Sequence, residues 1–191
     1  VLLRREQYRW ADNINTTISI ARLFVLAKIS NCRSVLLREI RNYGDNEQIV
    51  TATNLLFRRM KKVKSASSYD ELLGMEGDAA TIYFSVFKEL IKVEEFTFNG
   101  RVRRPPTDAV NALLSFVYSL ITQECVSALY GVGLDPYVGF LHKDRPGRTS
   151  LALDLVEEFR AFWADRFVLT LINRRQIQMH DFEIEATGAY R

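Results

Sequence analysis

The sequence predicts an all-α fold, organised as a single multi-helix catalytic domain over residues 1–191. Apolar residues recur at steps of three and four through most of the chain, which is the spacing of one helix face. Residues that favour helix starts, such as Ser68 and Ser150, precede periodic segments. Hydrophobic residues make up 48% and charged residues 26% of the chain, a composition that argues against disorder and supports one sizeable core.

The first 64 residues predict two amphipathic segments. A pattern that closes near Gly44 predicts one long helix, or two helices end to end. A second helix is expected from about Asn46 to Lys64, and it ends in the cationic run Arg58–Lys64. The apolar positions of the first pattern are Tyr8, Ile14, Ile18, Ala21, Val25, Ile29, Cys32, Leu36 and Ile40.

The middle of the chain predicts two further helices and a loop. Ser68 with Glu71 three residues later has the spacing of a capping box and predicts a short helix. After Gly74, we expect a new helix from Glu76 to about Ile91. A loop follows over Glu94–Pro106.

The last third predicts three helices and a short tail. Paired prolines before Thr107 and Asp108 indicate a helix that continues to about Tyr130, after which glycines mark a tight connection. Ser150 is the expected N-cap of a helix through Phe162, and a final helix covers about Ala164–Asn173. The tail alternates apolar and polar residues, a pattern that allows a small C-terminal β-hairpin.

Charge, cysteine content and hydropathy restrict the class of protein. The net charge of +3 does not by itself indicate nucleic-acid binding. Cys32 and Cys125 provide neither a disulfide framework nor a zinc spacing, so we expect a reducing, cytoplasmic location. No signal peptide is visible, and the longest apolar run, Ala112–Ile121, is shorter than the roughly 20 residues that span a membrane. Because the chain opens with Val1 and ends at Arg191, we expect it to be part of a longer protein.

Glu76 is placed unusually for a carboxylate. It is in phase with the apolar stripe of its predicted helix, and an unpaired buried charge is strongly disfavoured. A bound cation would satisfy it. The alternative is a glutamate that interacts with the positive end of the helix dipole.

Asp154 and Glu157 are three residues apart and therefore share one face of a helix. The predicted core stripe of that helix lies beside them and consists of Leu151, Leu155, Phe159 and Phe162. Two neighbouring anions repel each other unless a positive group lies between them, and a hard divalent cation accepts such oxygen ligands. The alternative is a solvated acidic face that pairs with Arg160 or Lys143.

His142 is one of only two histidines and lies just before this acidic pair. One imidazole with two or three carboxylates suits Mg²⁺ or Mn²⁺, and the imidazole favours Mn²⁺. The alternative is a structural histidine in a turn. The other histidine, in the pair His180-Asp181, invites comparison with His-Asp phosphohydrolases, but such sites need further histidines that the chain lacks.

Cationic residues cluster in the loops and helix ends around these groups. Guanidinium groups bind phosphate oxygens bidentately, so such loops suit a nucleic-acid backbone. Ordinary surface charge is the alternative. The residues concerned are Arg101, Arg103, Arg104, Lys143, Arg145, Arg148, Arg174 and Arg175.

Five ordered motifs cover nearly the whole chain. They are Leu2–Tyr8, Leu73–Phe84 with Gly-Met-Glu76-Gly-Asp, Arg103–Ser115, Gly139-Phe-Leu-His142, and Arg145–Arg160 with Leu-Asp154-Leu-Val-Glu157-Glu. In this combination the chain resembles the integrase subunit of the CRISPR adaptation machinery, the CRISPR-associated endonuclease that inserts new spacers. The similarity extends over that family's C-terminal helical domain.

The resemblance implies a site and a chemistry. The family's metal ligands, a Glu, a His and an acidic residue, correspond to Glu76, His142 and Glu157. Relatives often carry Asp at the third position, which leaves open whether Glu157 or Asp154 is the closer ligand. The implied reaction is Mg²⁺- or Mn²⁺-dependent DNA cleavage, and strand transfer by a prespacer 3′-hydroxyl that attacks repeat DNA. The residues that we expect to position phosphates are Arg101, Arg104, Asn111, Arg145 and Arg148.

The resemblance also implies partners: prespacer and repeat DNA, a small companion subunit of the integration complex, and a second copy. The family forms homodimers through an N-terminal strand-rich domain that nothing in residues 1–191 matches, so we expect this part alone to be monomeric. Two other functions remain open. One is a non-catalytic helical DNA-binding or scaffold module, in which the acids pair with arginines. The other is a metal-dependent phosphohydrolase that acts on small nucleotides.

Overall fold

The structure, a computed structural model that describes all 191 residues, confirms the all-α class. It contains no sheet, and a π-helical segment, Arg160–Asp165, joins the last two helices without a loop. Short 3₁₀ turns cover Phe87–Leu90 and Met179–Asp181. The seven α-helices are α1 (Leu2–Asp12), α2 (Ile14–Tyr43), α3 (Glu47–Val63), α4 (Tyr69–Ser85), α5 (Ala109–Val132), α6 (Ser150–Phe159) and α7 (Arg166–Asn173).

The first amphipathic pattern forms two helices end to end. Asn13 leaves the helical conformation, with φ −94° and ψ 108°, and its side chain accepts a hydrogen bond from the backbone N–H of Thr16 at 3.1 Å. Asparagine is a favoured N-cap because its side chain satisfies a free N–H of the first turn. Asn46 caps α3 in the same way, through the N–H groups of Gln48 and Ile49.

The predicted break at Gly74 is wrong, because α4 runs without interruption from Tyr69 to Ser85. Ser68 caps its first turn by accepting from the N–H of Glu71 at 3.2 Å, as the capping-box spacing predicted. Neither Gly74 nor Gly77 has a positive φ angle. A helical glycine costs only about 1 kcal/mol relative to alanine, so the burial of this helix outweighs it.

Helix α5 begins after its cap Asp108 and ends at Gly133, which has the left-handed φ of 84° that glycine tolerates best. Its apolar stretch is longer than the predicted run. By length and composition alone it would suffice to cross a membrane, a property that buried core helices share. Its inward face, which includes Val110, Leu114 and Val117, is buried in the protein core.

The predicted stripe of α6 is wrong on its C-terminal side. Phe159 and Phe162 are exposed, whereas Asp154 and Glu157 are buried. The acids therefore face the core, and the aromatic side chains face outward. The predicted tail hairpin is reduced to a single antiparallel bridge between Ile184 and Tyr190.

Helix α2 is the central element of the core. It packs against α3, α4 and α6, and its buried stripe includes Ala21, Val25, Ile29 and Leu36. Both cysteines are buried and free, so no disulfide contributes to the fold. Since α4 and α6 both pack against α2, side chains from both helices can contact the same residue of α2.

Candidate metal centre and nucleic-acid interface

Two of the predicted acidic ligands converge on one cation, and that cation belongs to the protein. The ammonium Nζ of Lys28, on α2, forms ion pairs with Oε1 of Glu76 on α4 and with Oε2 of Glu157 on α6. Lys28 is 5% exposed and Glu157 is 3% exposed, while the Glu76 side chain keeps 21% of its surface in solvent. Residues 48 and 129 positions apart from Lys28 therefore meet at a single point.

Positive groups surround the Glu157 carboxylate. Nη2 of Arg160, one turn later, lies 3.2 Å from its Oε1. Burial raises the pKa of Glu157, but the positive charges of Lys28 and Arg160, with a smaller effect of the nearby His142, outweigh burial and lower the pKa to about 2. Glu157 is therefore ionised at neutral pH despite its burial.

Asp154 is fully buried and holds the backbone of the preceding loop. Its Oδ2 accepts the N–H groups of Phe140 at 2.6 Å and Leu141 at 2.9 Å, and its Oδ1 accepts the N–H of His142 at 2.8 Å. Nδ1 of the His142 ring lies 2.7 Å from the same Oδ1. Both oxygens are thus occupied by donors, which leaves Asp154 poorly placed to bind an ion directly.

The contact with Asp154 fixes the tautomer of His142. A buried carboxylate that already accepts three N–H groups is an acceptor only, so Nδ1 of the imidazole carries a proton and donates it. In the neutral ring, the lone pair is then on Nε2. Histidines that bind metals usually have this arrangement, in which a carboxylate orients the ring from the far side.

Gly139 allows the loop to lie against α6. A Cβ built at this residue would lie 2.8 Å from Ser150 and 2.9 Å from Oδ2 of Asp154, closer than real Cβ contacts permit. The Tyr69 hydroxyl donates to the carbonyl of Leu141, the residue before His142. Both contacts restrict the loop that carries His142.

Helix α1 anchors the start of the same loop. The Gln7 amide donates to the carbonyls of Asp135 and Val138, both at 2.8 Å, and accepts the N–H of Asp135 at 2.8 Å. Gln7 is buried, so these bonds are shielded from water. The N-terminal motif Leu2–Tyr8 therefore supports the His142 loop structurally.

The donor set suits a hard divalent cation. Two carboxylates already hold a positive group between them, and an imidazole with a free Nε2 lies close enough to affect the pKa of Glu157. No three His, Cys, Asp or Glu side chains form a ready metal-binding cluster in this structure. The reason is visible in the contacts, since Lys28 lies between the two glutamates.

Two of the residues expected to contact DNA have structural contacts instead. Asn111 is fully buried, where its amide donates to the carbonyl of Gly100 at 2.9 Å and to Asp108 at 2.7 Å. Its Oδ1 accepts from Arg101 at 2.8 Å and from the N–H of Val102 at 2.9 Å. Asn111 therefore pins the loop before α5 and cannot reach a phosphate, which corrects the expectation. Arg101 is committed to the same network.

The other three predicted cations remain available. Arg104 and Arg145 are exposed and Arg148 is half-buried, and none of their side chains makes a hydrogen bond or an ion pair. Arg145 and Arg148 belong to the loop that follows His142, so they lie near the candidate centre along the chain. An unpaired guanidinium can bind phosphate without first breaking an internal contact.

Lys28, which the structure places at the middle of the site, was not predicted from the sequence. Val25, Ile29 and Cys32 were recognised as apolar positions of one helix face, but the lysine among them was not. A lysine three residues after Val25 and four before Cys32 is on the same helix face, and that spacing was the available signal. Gln7 gave no comparable signal.

Comparisons with known proteins identify the family to which the chain is similar. The family described as CRISPR associated protein Cas1 matches residues 1–191. The chain is 52% identical over 194 residues to CRISPR-associated endonuclease Cas1 1 of Chlorobaculum tepidum, over 99% of this chain and 57% of that protein. It spans little more than half the length of that relative.

Solved structures share the fold of the whole chain. A casposase bound to integration product is similar with a TM-score of 0.85 at 30% identity, over 98% of this chain and 54% of that one. A partial Cas6-RT-Cas1–Cas2 complex gives a TM-score of 0.87 at 30% identity, over 97% of this chain and 55% of that one.

Proposed function

Since this chain belongs to the Cas1 family of CRISPR-associated proteins, we propose that it is the helical catalytic domain of a metal-dependent DNA endonuclease and integrase. The proposed activity is phosphodiester cleavage and strand transfer that insert spacers into CRISPR arrays. A relative named as an endonuclease at 52% identity and a casposase bound to integration product support this activity.

One observation carries the proposal most directly: Glu76 and Glu157 both pair with the ammonium of Lys28, and His142 lies near enough to affect the pKa of Glu157. These three residues would hold Mg²⁺ or Mn²⁺. When bound, the ion would activate a water or a 3′-hydroxyl and offset the charge that develops on the attacked phosphate. Two carboxylates would supply negative charge, and Nε2 of His142 would supply a neutral nitrogen ligand.

The remaining residues of the site prepare these ligands. Asp154 keeps the proton of His142 on Nδ1 and holds three consecutive N–H groups of the loop, so we assign it to ring orientation rather than to metal binding. Lys28 and Arg160 together keep Glu157 ionised. No nucleotide cofactor is required, since strand transfer replaces one phosphodiester bond with another.

We assign the phosphate contacts to Arg104, Arg145 and Arg148, whose guanidinium groups have no internal partners. Prespacer and repeat duplex are the proposed DNA partners. A solved complex that names Cas1 with Cas2 supports a small companion subunit. Homodimerisation through a strand-rich domain outside residues 1–191 and a cytoplasmic location complete the proposal.

The test compares neighbouring glutamates of α6 in the full-length protein. Glu157→Ala should abolish Mn²⁺-dependent cleavage and strand transfer, whereas Glu158→Ala should retain both, because Glu158 is exposed and lies outside the site. His142→Ala and Glu76→Ala should match Glu157→Ala while the proteins remain folded. Cleavage by His142→Ala at the wild-type rate would contradict the assignment.

A second function, a non-catalytic DNA-binding or scaffold module, is favoured by one observation. Glu76 and Glu157 are already neutralised by Lys28 and Arg160, so the fold does not need an added ion. Thermal unfolding with and without Mn²⁺ separates the two functions, since an ion that binds the native state stabilises it by mass action. A melting temperature that is unchanged at millimolar Mn²⁺ would favour the scaffold.

A further inference from the structure

Lys28 occupies a position where a lysine is unusual. It lies on the buried stripe of α2 between Val25 and Cys32, next to Ile29, and all three neighbours are buried. Lysine is almost never fully buried without a partner, because its ammonium loses its hydration. Its presence here therefore needs an explanation in terms of what it contacts.

The ammonium of Lys28 contacts both candidate ligands at once. Arg160 also reaches Glu157, but no other cation is paired with Glu76. Direct contact with two carboxylates favours the charged form of the Lys28 ammonium. The two carboxylates are thus oriented toward one point by a side chain of the protein itself.

We propose that Lys28 is the internal counter-ion of the Glu76–Glu157 pair, and that a divalent ion enters this site by displacing the Lys28 ammonium. The inference rests on the proposed function, because it takes the two glutamates as metal ligands. Lys28 is a positioning residue in this scheme. It holds the carboxylates together in the metal-free protein and leaves when the ion binds.

Electrostatic repulsion explains why the Lys28 ammonium must leave when the divalent ion binds. A divalent ion and an ammonium between the same two carboxylates would repel each other strongly in a buried site. The four-carbon stem of lysine is flexible, so its ammonium can move while α2 stays in place. Arg160 can remain on Glu157 because it approaches the other oxygen, Oε1.

The test is the affinity of the full-length protein for Mn²⁺, measured by isothermal titration calorimetry for wild type, Lys28→Met and Lys92→Met. Methionine keeps most of the stem and removes the competing charge. We expect the dissociation constant of Lys28→Met to fall at least tenfold, and its metal-free melting temperature to fall as well. Lys92 pairs with Glu39 at 2.6 Å, away from the site, so Lys92→Met should bind Mn²⁺ like wild type.

The direction of the change distinguishes displacement from a purely structural role. Loss of a structural lysine would disorder the glutamates and weaken binding, so an unchanged or weaker affinity of Lys28→Met overturns the inference and leaves the proposed metal site standing. If none of the three proteins binds Mn²⁺, both the inference about Lys28 and the proposed function are wrong. If Lys28→Met is unfolded without metal, it should refold when Mn²⁺ supplies the missing charge, and failure to refold at saturating Mn²⁺ overturns the inference.

Discussion

Glu157 and Asp165 are buried carboxylates eight residues apart on one continuous helical segment, yet their pKa values are shifted in opposite directions. Glu157 contacts the ammonium of Lys28 and the guanidinium of Arg160, and its pKa is about 2. Asp165 accepts a hydrogen bond from the Tyr118 hydroxyl, and burial raises its pKa to about 6 even though the hydroxyl and more distant arginines lower it.

The difference shows that burial alone does not identify a cation site. Desolvation acts on both residues, and only direct contact with cations reverses its effect on Glu157. Asp165 accepts its hydrogen bond from a neutral donor, the Tyr118 hydroxyl, and does not need a cation as a partner. We therefore interpret the region around Glu157 as the functional one, and the Asp165–Tyr118 contact as part of the packing between α5 and the π-helical segment.

The largest difference between Glu157 and Asp165 is expected when the ionisable group is removed at each position. Glu157→Gln should lower Mn²⁺-dependent strand transfer by at least about a hundredfold, since a charged ligand is lost from the transition state. Asp165→Asn should stay within a few-fold of wild type. Initial rates on a labelled prespacer measure both, and equal losses would remove the distinction between the two acids.

A second prediction concerns Asp154, the third buried acid. Asp154→Ala leaves three backbone N–H groups and the His142 ring without their acceptor. Loss of the partner that orients a metal-binding histidine typically weakens metal affinity about 10–100-fold. Calorimetric titration with Mn²⁺ checks this value. Wild-type affinity would mean that Asp154 does not position His142.

Glu157 and Asp165 should also affect the pH dependence of stability in opposite directions. The pKa of Asp165 is higher in the folded state than its usual value of 3.8, so the folded state holds the proton more tightly. Protonated Asp165 therefore stabilises the folded state at low pH. This contribution to the free energy of unfolding, about 3 kcal/mol for the difference between the two pKa values, is lost as the pH rises through about 6. Glu157 acts oppositely, since its pKa is lowered. Its contribution is present above 4.5 and is lost as pH falls toward 2.

Denaturant unfolding of the metal-free protein from pH 4 to 7 tests the Asp165 contribution. Asp165→Asn has no proton to lose and should show a smaller decline in stability over this range than wild type. Parallel curves for the two proteins would show that Asp165 does not titrate as its surroundings indicate.

The smallest expected effect concerns the loop that carries His142. Gly139→Ala must push this loop away from Ser150 and Asp154, and overpacking of this kind costs about 1–3 kcal/mol. Gly131→Ala is the matched control, because Gly131 is helical and nothing lies near its missing Cβ. Thermal unfolding should show a loss only for Gly139→Ala. A loss of equal size in Gly131→Ala would point to a general effect of alanine.

The fold could largely be predicted from the sequence because the helices are amphipathic and because Ser68 and Asp108 mark the starts of two of them. The break at Gly74 was wrong, since packing decides whether a helix tolerates a glycine. Exposure of Phe159 and Phe162 was missed for a related reason. Hydrophobicity assigned them to the core, whereas the ion pairs of Glu157 turn the other face of α6 inward.

The candidate site was predicted in part. Glu76, His142 and Glu157 were selected from motifs that resemble a known family, and the structure brings the two glutamates to one point. Periodicity cannot show that Lys28 reaches both acids, because that contact depends on how α2, α4 and α6 pack. The burial of Asn111 likewise depends on the path of the loop before α5.

Whether Glu76, His142 and Glu157 form a metal centre is tested most directly by a crystal structure of the full-length protein soaked in Mn²⁺. The anomalous signal of manganese would locate the ion. We expect one ion bound by Glu76, Glu157 and Nε2 of His142, with Asp154 still on Nδ1. An ion bound elsewhere, or no ion while both glutamates remain paired with Lys28, would contradict the claim that these residues form a metal centre.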